Sequence, residues 1–90
     1  MQVTVQYLAQ LKRAAGCSSE RVEAKESATL ADILRLAAER HGAPLRDLLL
    51  DENSEPRRSL LFFIGDDHAT PTRGVRDGDV VTILTPMAGG

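Results

Sequence analysis

Hydrophobic and polar residues follow two different periods along this chain. In residues 3–7 (VTVQY) they alternate one by one, which predicts a half-buried strand. Residues 20–25 (ERVEAK) alternate as well, and Val22 and Ala24 are expected on one face with the charged residues on the other. This second segment is therefore predicted to be a mostly exposed strand that pairs with the first as a hairpin.

Two later segments are apolar at almost every position. Residues 60–64 (LLFFI) and 80–84 (VVTIL) have the length of strands, and the turn signals GDD and DGD adjoin them. Both predicted strands have apolar residues on both faces, whereas a small sheet under one helix needs only one apolar face. The second face is expected either to bind a partner or to be covered by residues 44–50.

The helical period is clearest in residues 29–42 (TLADILRLAAERHG). Thr29 is placed to cap the helix, Asp32 lies near its positive end, and Gly42 is placed to close it. Positions at helical spacing form one stripe, which comprises Leu30, Ile33, Leu34, Ala37 and His41. The segment therefore predicts one amphipathic helix that packs one face on the sheet.

Shorter helical segments flank this helix. Residues 8–15 are good helix formers and end at Gly16, which can adopt the left-handed conformation of a helix stop. Pro44 begins a second short segment with leucines at 45, 48 and 49, and residues 51–58 form a polar loop.

The order of these elements predicts the fold class. Strand, strand, long helix, strand, a small strand or turn, and strand describe an α+β protein with a mixed four- to five-stranded sheet and one main helix on one face. Residues 1–84 are predicted to form this single domain, and residues 85–90 an extended C-terminal tail.

Size and charge exclude several classes of protein. The 90 residues suffice for one modest core, and the net charge of −2 gives no general attraction to nucleic acid or to anionic membranes. No apolar run approaches the ~20 residues of a membrane span, and the start lacks a signal segment. With a single cysteine, these features lead us to expect a cytoplasmic protein in a reducing compartment.

Residues that could carry catalysis are few. The sequence lacks the CxxC, HExxH, GxSxG, phosphate-loop and GxGxxG motifs. Cys17 is a candidate nucleophile near Lys12 and Arg13, but its position favours a small residue in a turn. The protein is expected to have no catalytic residues of its own.

No metal site is predicted. His41 is expected to act as a cation at the end of the helix, and His68 has no partner at metal-ligand spacing. The acidic residues of the two turns are explained by local backbone bonds; they are Asp66, Asp67, Asp77 and Asp79.

Charge in the polar loop has an ordinary explanation too. Arg57 and Arg58 are expected to be solvated, although such a pair could also dock an acidic partner.

The end of the sequence, TPMAGG, is the most distinctive candidate site. Residues 85–90 can extend about 20 Å, enough to enter the active site of another protein. An ATP-using partner could convert the Gly90 carboxylate to an acyl-adenylate, and the missing Cβ leaves its carbonyl open to a sulfur or amine nucleophile. The alternative is an idle end of small residues.

Three stretches of the sequence resemble those of the ubiquitin-like β-grasp sulfur carriers, above all the small subunit of molybdopterin synthase. VQYLAQLKRAAG is similar to the start of that family, TLADILRLAAERHG to its helix, and DGDVVTILTPMAGG to its ending. The cysteine-pathway and thiamine-pathway carriers are relatives of the same family. The resemblance covers nearly the whole chain and implies the β-grasp fold.

The resemblance also implies a function. An adenylating enzyme of the ubiquitin-activating type would use ATP to activate Gly90, and a persulfide donor would then convert it to a thiocarboxylate. The chain itself would bind no cofactor. The carrier would deliver sulfur to a large acceptor subunit or synthase, with Gly89 and Gly90 as the working end. The expected partner contacts are Pro86, Met87 and Ala88 as the threading segment, with Phe62 and Leu84 on a docking face.

Other functions stay open at this point. The stretch from Ala43 to Ser59 and the DGD…VTIL ending fit the cysteine-pathway carriers nearly as well, whereas YLAQLKRAAG favours the molybdopterin type. The same tail would also serve a ubiquitin-like protein modifier that joins Gly90 to a lysine amine. A non-covalent interaction module with an idle tail is the third hypothesis.

Overall fold

The computed structural model describes residues 1–86 and arranges them as a five-stranded sheet with three helices. The elements follow one another in the predicted order. They are β1 (Gln2–Tyr7), α1 (Gln10–Ala15), β2 (Ser19–Glu23), α2 (Leu30–His41), α3 (Leu45–Leu49), β3 (Leu61–Ile64), β4 (Asp67–Ala69) and β5 (Val80–Leu84). The predicted α+β class is confirmed.

The sheet has the strand order β2-β1-β5-β3-β4 and is mixed. β1 and β2 form the predicted antiparallel hairpin, with Val3 opposite Val22. β5 lies in the centre, parallel to β1 and antiparallel to β3. β5 is therefore paired on both sides, and the segment after Leu84 leaves from the middle of the sheet.

One face of the sheet and the inner faces of the helices enclose a single core. The largest fully buried side chains come from every layer, namely Tyr7, Leu11, Leu30, Ile33, Leu34, Leu45, Leu49, Ile83, Val3, Val5 and Val81. α3 packs against α2 and α1 and contributes Leu45 and Leu49 to this core. The expectation that residues 44–50 cover the second face of the sheet is therefore wrong, because their leucines are used on the helical side.

Both ends of α2 follow the sequence prediction, since Gly42 is its C-cap and donates its backbone N–H to the Ala38 carbonyl. Thr29 is the N-cap, and its Oγ1 accepts a hydrogen bond of 3.3 Å from the backbone N–H of Asp32. Asp32 returns the interaction, since its Oδ2 accepts from the Thr29 backbone N–H at 3.0 Å. This reciprocal pair satisfies two donors that the first turn of a helix otherwise leaves free.

The capping box gives the stability of this domain an acid-sensitive component. The Thr29 N–H bond, supported by Arg35, holds the pKa of Asp32 below its usual range. A carboxyl whose pKa is lower in the folded state stabilises the fold above its unfolded pKa, and that contribution disappears as pH falls. Asp32→Asn is therefore expected to cost about 0.3–1 kcal/mol near neutral pH, a range that allows for the partial exposure of this side chain.

Denaturant unfolding of both proteins at several pH values measures this effect. The difference between Asp32→Asn and the parent protein should begin to shrink as pH falls below about 4, where the carboxyl of the unfolded chain becomes protonated, and should be smallest once the folded parent's carboxyl, whose pKa is lower, is protonated too. Thr29→Ala serves as the companion variant, because it removes the other half of the box while leaving the carboxyl in place. A difference that stayed constant down to pH 2 would contradict this account of the cap.

Among residues 1–86, no helix combines the length and the apolar character that crossing a bilayer requires.

Candidate functional site

The predicted C-terminal tail, residues 85–90, which we call the arm, begins at the centre of the sheet. Ile83 is buried opposite Tyr7 of β1 and Phe62 of β3, and Leu84 pairs with Leu61 one step further on. Thr85 is half-buried and Pro86 is exposed. The strand that precedes the arm is therefore fixed by pairing on both sides, whereas Pro86 is exposed to solvent.

The predicted working end and most of the predicted threading segment lie beyond this point. Met87, Ala88, Gly89 and Gly90 are outside the described residues, so their assigned roles stay predictions.

The face of the sheet opposite the helices carries an apolar patch beside the arm. Leu61, Phe63, Val80 and Leu84 are half-buried there, and Thr82 lies among them with its hydroxyl donating to Gln6 Oε1 at 3.1 Å. In the register of the sheet, Leu61 is opposite Leu84 and Phe63 opposite Thr82. These side chains share one surface, which we call the open face.

The two residues predicted for the docking face separate in the structure. Leu84 lies on the open face, whereas Phe62 is only 3% exposed and packs in the core on the helical side. Successive side chains of a strand point to opposite faces, so Phe62 and Phe63 cannot share a surface. Phe63 is the aromatic residue that a partner on the open face can reach, and the place of Phe62 in this site needs correction.

Leu8 is a surface residue that the sequence interpretation assigned only to the first helix. It is 45% exposed and directly follows Tyr7, whose backbone pairs with Ile83 in β5. It therefore sits at the end of the sheet from which the arm leaves. Its position directly after β1, the strand that pairs with β5, is the signal that could have identified it.

The other predicted surface groups mostly form hydrogen bonds with backbone groups. Asp79 Oδ2 accepts from the Arg76 N–H at 2.8 Å, and Asp77 Oδ1 accepts from the Gln2 N–H at 2.7 Å. The Asp79 bond is a local turn bond of the predicted kind, whereas Gln2 lies 75 positions from Asp77, so the Asp77 bond ties this turn to β1. Arg57 is engaged too, since its Nε donates to the Asp47 carbonyl at 2.6 Å, whereas Arg58 is exposed.

One polar cluster was not predicted. Cys17 lies in the turn between α1 and β2, as expected, but Glu20 and His41 lie beside it. Glu20 shares the inward face of β2 with Val22, since strand positions two apart face the same way. The prediction that charge in this strand faces away from Val22 is therefore wrong for Glu20.

Hydrogen bonds to the Glu20 carboxylate hold this cluster together. The Tyr7 hydroxyl donates to Oε2 at 2.5 Å, His41 Nε2 lies 2.6 Å from the same oxygen, and Arg40 donates to Oε1 at 3.2 Å. Partial burial raises the pKa of Glu20, but the three hydrogen bonds outweigh it and leave the pKa below its usual range. His41 thus pairs with a carboxylate, in addition to ending the helix as predicted.

The pKa values of Tyr7 and Cys17, which lie beside this carboxylate, are raised instead. Burial, followed by the hydrogen bond to Glu20, raises the pKa of Tyr7, so its hydroxyl stays protonated and donates. Partial burial and the nearby Glu20 also raise the pKa of the Cys17 thiol. The geometry therefore gives no support to Cys17 as an activated nucleophile.

A mixed five-stranded sheet in the order β2-β1-β5-β3-β4, with one main helix on one face, defines a class of protein, the ubiquitin-like β-grasp domain. The chain matches the ThiS family over residues 5–90 and belongs to that family of ubiquitin-like sulfur carriers and modifiers. The predicted fold and the predicted family are both confirmed. A comparison with curated proteins gives no significant match.

Solved structures agree with this assignment. CysO in the Amycolatopsis orientalis BexX/CysO complex is 30% identical over 98% of this chain and 99% of its own, with a TM-score of 0.71. SAMP1 from Haloferax volcanii superposes with a TM-score of 0.91 over 100% of both chains at 22% identity. A putative molybdopterin converting factor, subunit 1, from Pyrococcus furiosus gives 0.78 at 22% identity over 97% of this chain and 99% of its own. The last two support the fold.

Proposed function

We propose that this protein is a sulfur carrier whose Gly90 carboxylate is adenylated and then converted to a thiocarboxylate. The observation that carries the proposal is the family match, which runs through residue 90 and includes the Gly-Gly end. The central position of β5 supports it, because a strand paired on both sides gives the arm a rigid base.

The chemistry divides between the carrier and its partners. The carboxylate of Gly90 attacks the α-phosphate of ATP in an adenylating enzyme of the ubiquitin-activating type, and pyrophosphate leaves. A persulfide then attacks the Gly90 carbonyl, AMP leaves, and an acyl disulfide forms between Gly90 and the donor. A second thiol reduces the S–S bond and releases the thiocarboxylate. The carrier needs no bound cofactor for these steps, since ATP belongs to the partner.

Partner proteins are expected to hold the arm and the open face together. Pro86, Met87 and Ala88 form the threading segment, and Leu84 with Phe63 gives an apolar docking surface beside it. Leu61 extends that surface along the edge where the arm leaves. The structure of CysO with BexX supports a partner protein of this kind for a related chain. We place the protein in the cytoplasm, where ATP and reducing thiols are available.

For the sulfur acceptor we propose the large subunit of molybdopterin synthase. The resemblance at the start of the chain and the likeness in fold to the putative converting factor subunit support this choice. A second acceptor, in the synthesis of cysteine or another sulfur-containing metabolite, is kept because identity is 30% to CysO and 22% to the converting factor subunit.

Mass spectrometry tests the carrier chemistry directly. The full chain, incubated with an adenylating enzyme of this type, ATP and a persulfide donor, should gain the mass difference between sulfur and oxygen. Omitting ATP is the control, since without it no acyl-adenylate forms. Stable products of added protein mass that resist thiol treatment would instead indicate a protein modifier.

Acceptor proteins then distinguish the routes. The thiocarboxylated chain should lose its sulfur to the large subunit of molybdopterin synthase in the presence of the pterin precursor. Loss of sulfur only to a cysteine synthase would establish the second acceptor. No gain of sulfur with any activating partner would overturn the carrier function.

A further inference from the structure

Three metal-binding atoms converge at the end of the β1–β2 hairpin where α1 connects the two strands. They are Cys17 Sγ, a carboxylate oxygen of Glu20 and a ring nitrogen of His41, and all lie within 4.8 Å of one another. Cys17 and Glu20 come from one short segment, and His41 is the last residue of α2. The fold thus joins residues that lie about 20 positions apart in the sequence.

We propose that Cys17, Glu20 and His41 bind one zinc ion, with water as the fourth ligand. Thiolate, imidazole and carboxylate are the three side-chain ligands that Zn²⁺ uses in proteins, usually in a tetrahedral arrangement. A hard cation such as Mg²⁺ would prefer an all-oxygen site, and the thiolate favours a softer ion.

The spacing of the cluster fits an ion of this size after a small adjustment. Zn–N and Zn–S bonds of about 2.0–2.3 Å place neighbouring ligand atoms about 3.3–3.6 Å apart. Since His41 Nε2 and Glu20 Oε2 are 2.6 Å apart, the ion must separate them by roughly 1 Å. Pairs that lie as far apart as 4.8 Å must close by a similar distance, so binding moves the side chains of all three ligands.

Solvent reaches the cluster, which a fourth water ligand requires. The side chains of His41 and Glu20 are 20% and 13% exposed, and Cys17 is half-buried. Three protein ligands with an accessible fourth position are the usual arrangement of an open zinc site.

Charge and protons balance on binding. The Cys17 S–H bond breaks as the Zn–S bond forms, and the proton goes to solvent. In the metal-free cluster His41 Nε2 donates a proton to the Glu20 carboxylate, so this Nε2–H bond also breaks as the Zn–N bond forms, and its proton is lost to solvent. The bound ring is then neutral and carries one proton, on Nδ1. Two anionic ligands, the Cys17 thiolate and the Glu20 carboxylate, then neutralise the dication.

Two residues beside the ligands are expected to change the affinity for zinc in opposite directions. The Tyr7 hydroxyl, whose side chain is buried, donates to Glu20 and orients its carboxylate. Such outer contacts typically contribute about 10–100-fold to metal affinity, so Tyr7→Phe should weaken binding about 10-fold. Arg40 brings a positive charge to Glu20 Oε1 at 3.2 Å, and Arg40→Gln should therefore tighten binding.

Cobalt titration of the full chain, without any activating enzyme, tests the proposal. One Co²⁺ per chain should produce a thiolate-to-cobalt charge-transfer band, and stoichiometric Zn²⁺ should abolish it. Cys17→Ser should lose the band, and His41→Gln should weaken binding at least about 100-fold, beyond the usual effect of an outer contact. His68→Gln is the matched control, because this exposed histidine lies outside the cluster, and it should bind like the parent.

Circular dichroism of each metal-free variant shows that it folds before binding is compared. Zn²⁺ should also raise the melting temperature of the parent but not of Cys17→Ser. No charge-transfer band with the folded parent would overturn the site, as would equal affinity in His41→Gln or one ion shared between two chains. The result is independent of sulfur transfer, which these measurements do not involve.

Discussion

Removal of Gly90 is expected to abolish thiocarboxylate formation completely, whatever sulfur donor is supplied. Under the proposed function the acyl-adenylate forms on the terminal carboxylate, and a chain that ends at Gly89 presents that group one residue, about 3.3–3.6 Å, too short. Mass spectrometry after incubation with the activating enzyme, ATP and a persulfide donor measures the loss. Positioning at this scale is decisive in catalysis, because misplacement by even 1 Å can cost about 100-fold in rate.

A chain with one alanine added after Gly90 tests the opposite change in length. It keeps all 90 residues but moves the carboxylate onto a residue with a Cβ, and it should also fail to gain sulfur. Glu52→Gln, in the exposed loop after α3, should gain sulfur like the parent. A full gain of sulfur by the shortened chain would place the reactive group elsewhere and refute the role of Gly90.

Ile83→Ala is expected to lower the free energy of unfolding by about 2–5 kcal/mol. Ile83 is fully buried in the central strand, between Tyr7 of β1 and Phe62 of β3, so truncation leaves a cavity that its paired neighbours cannot easily fill. For a domain whose total stability is about 5–15 kcal/mol, this is a large fraction. Denaturant unfolding followed by circular dichroism measures the change.

Leu84→Ala is the matched control on the next residue of the same strand. Leu84 is half-buried on the open face, so we expect the variant to lose less than about half as much stability as Ile83→Ala. Its main effect should fall on the partner reaction, as slower transfer of sulfur at unchanged folded fraction. Equal destabilisation by the two substitutions would contradict the division of β5 into a core side and a docking side.

Local patterns predicted the elements well because each has a local cause. Thr29 and Asp32 cap α2 as expected, and Gly16 ends α1 in the left-handed conformation with φ of 78°. The hairpin of β1 and β2 follows from alternation in two neighbouring segments. These features depend on residues a few positions apart, so the sequence contains all the information they require.

Predictions of which face of the sheet a side chain occupies were correct less often. In the run LLFFI every position is apolar, so the pattern does not say which residues point to the helices. Only the register with β5 places Phe62 inward and Phe63 outward. The same absence of local signal allowed residues 44–50 to be considered as a cover for the open face, whereas α3 packs on α2.

The cluster of Cys17, Glu20 and His41 shows the other limit of local reasoning. Metal-ligand motifs are recognised by short spacing, and here the third ligand arrives from the end of α2. Alternation also treated Glu20 as an outward charge, although its position two residues before Val22 turns it inward. Tyr7, His41 and Arg40 make that inward carboxylate tolerable by bonding to it.

By itself the sequence determined the order and kind of the elements, the caps of α2, and the family to which TPMAGG belongs, because these depend on local spacing and on a contiguous motif. Only the tertiary structure decided that β5 is the central strand, that Leu61, Phe63 and Leu84 share one exposed face, and that Cys17, Glu20 and His41 meet. The physical reason is that strand register and helix packing bring together side chains from distant segments, and no local pattern encodes which of them will be neighbours.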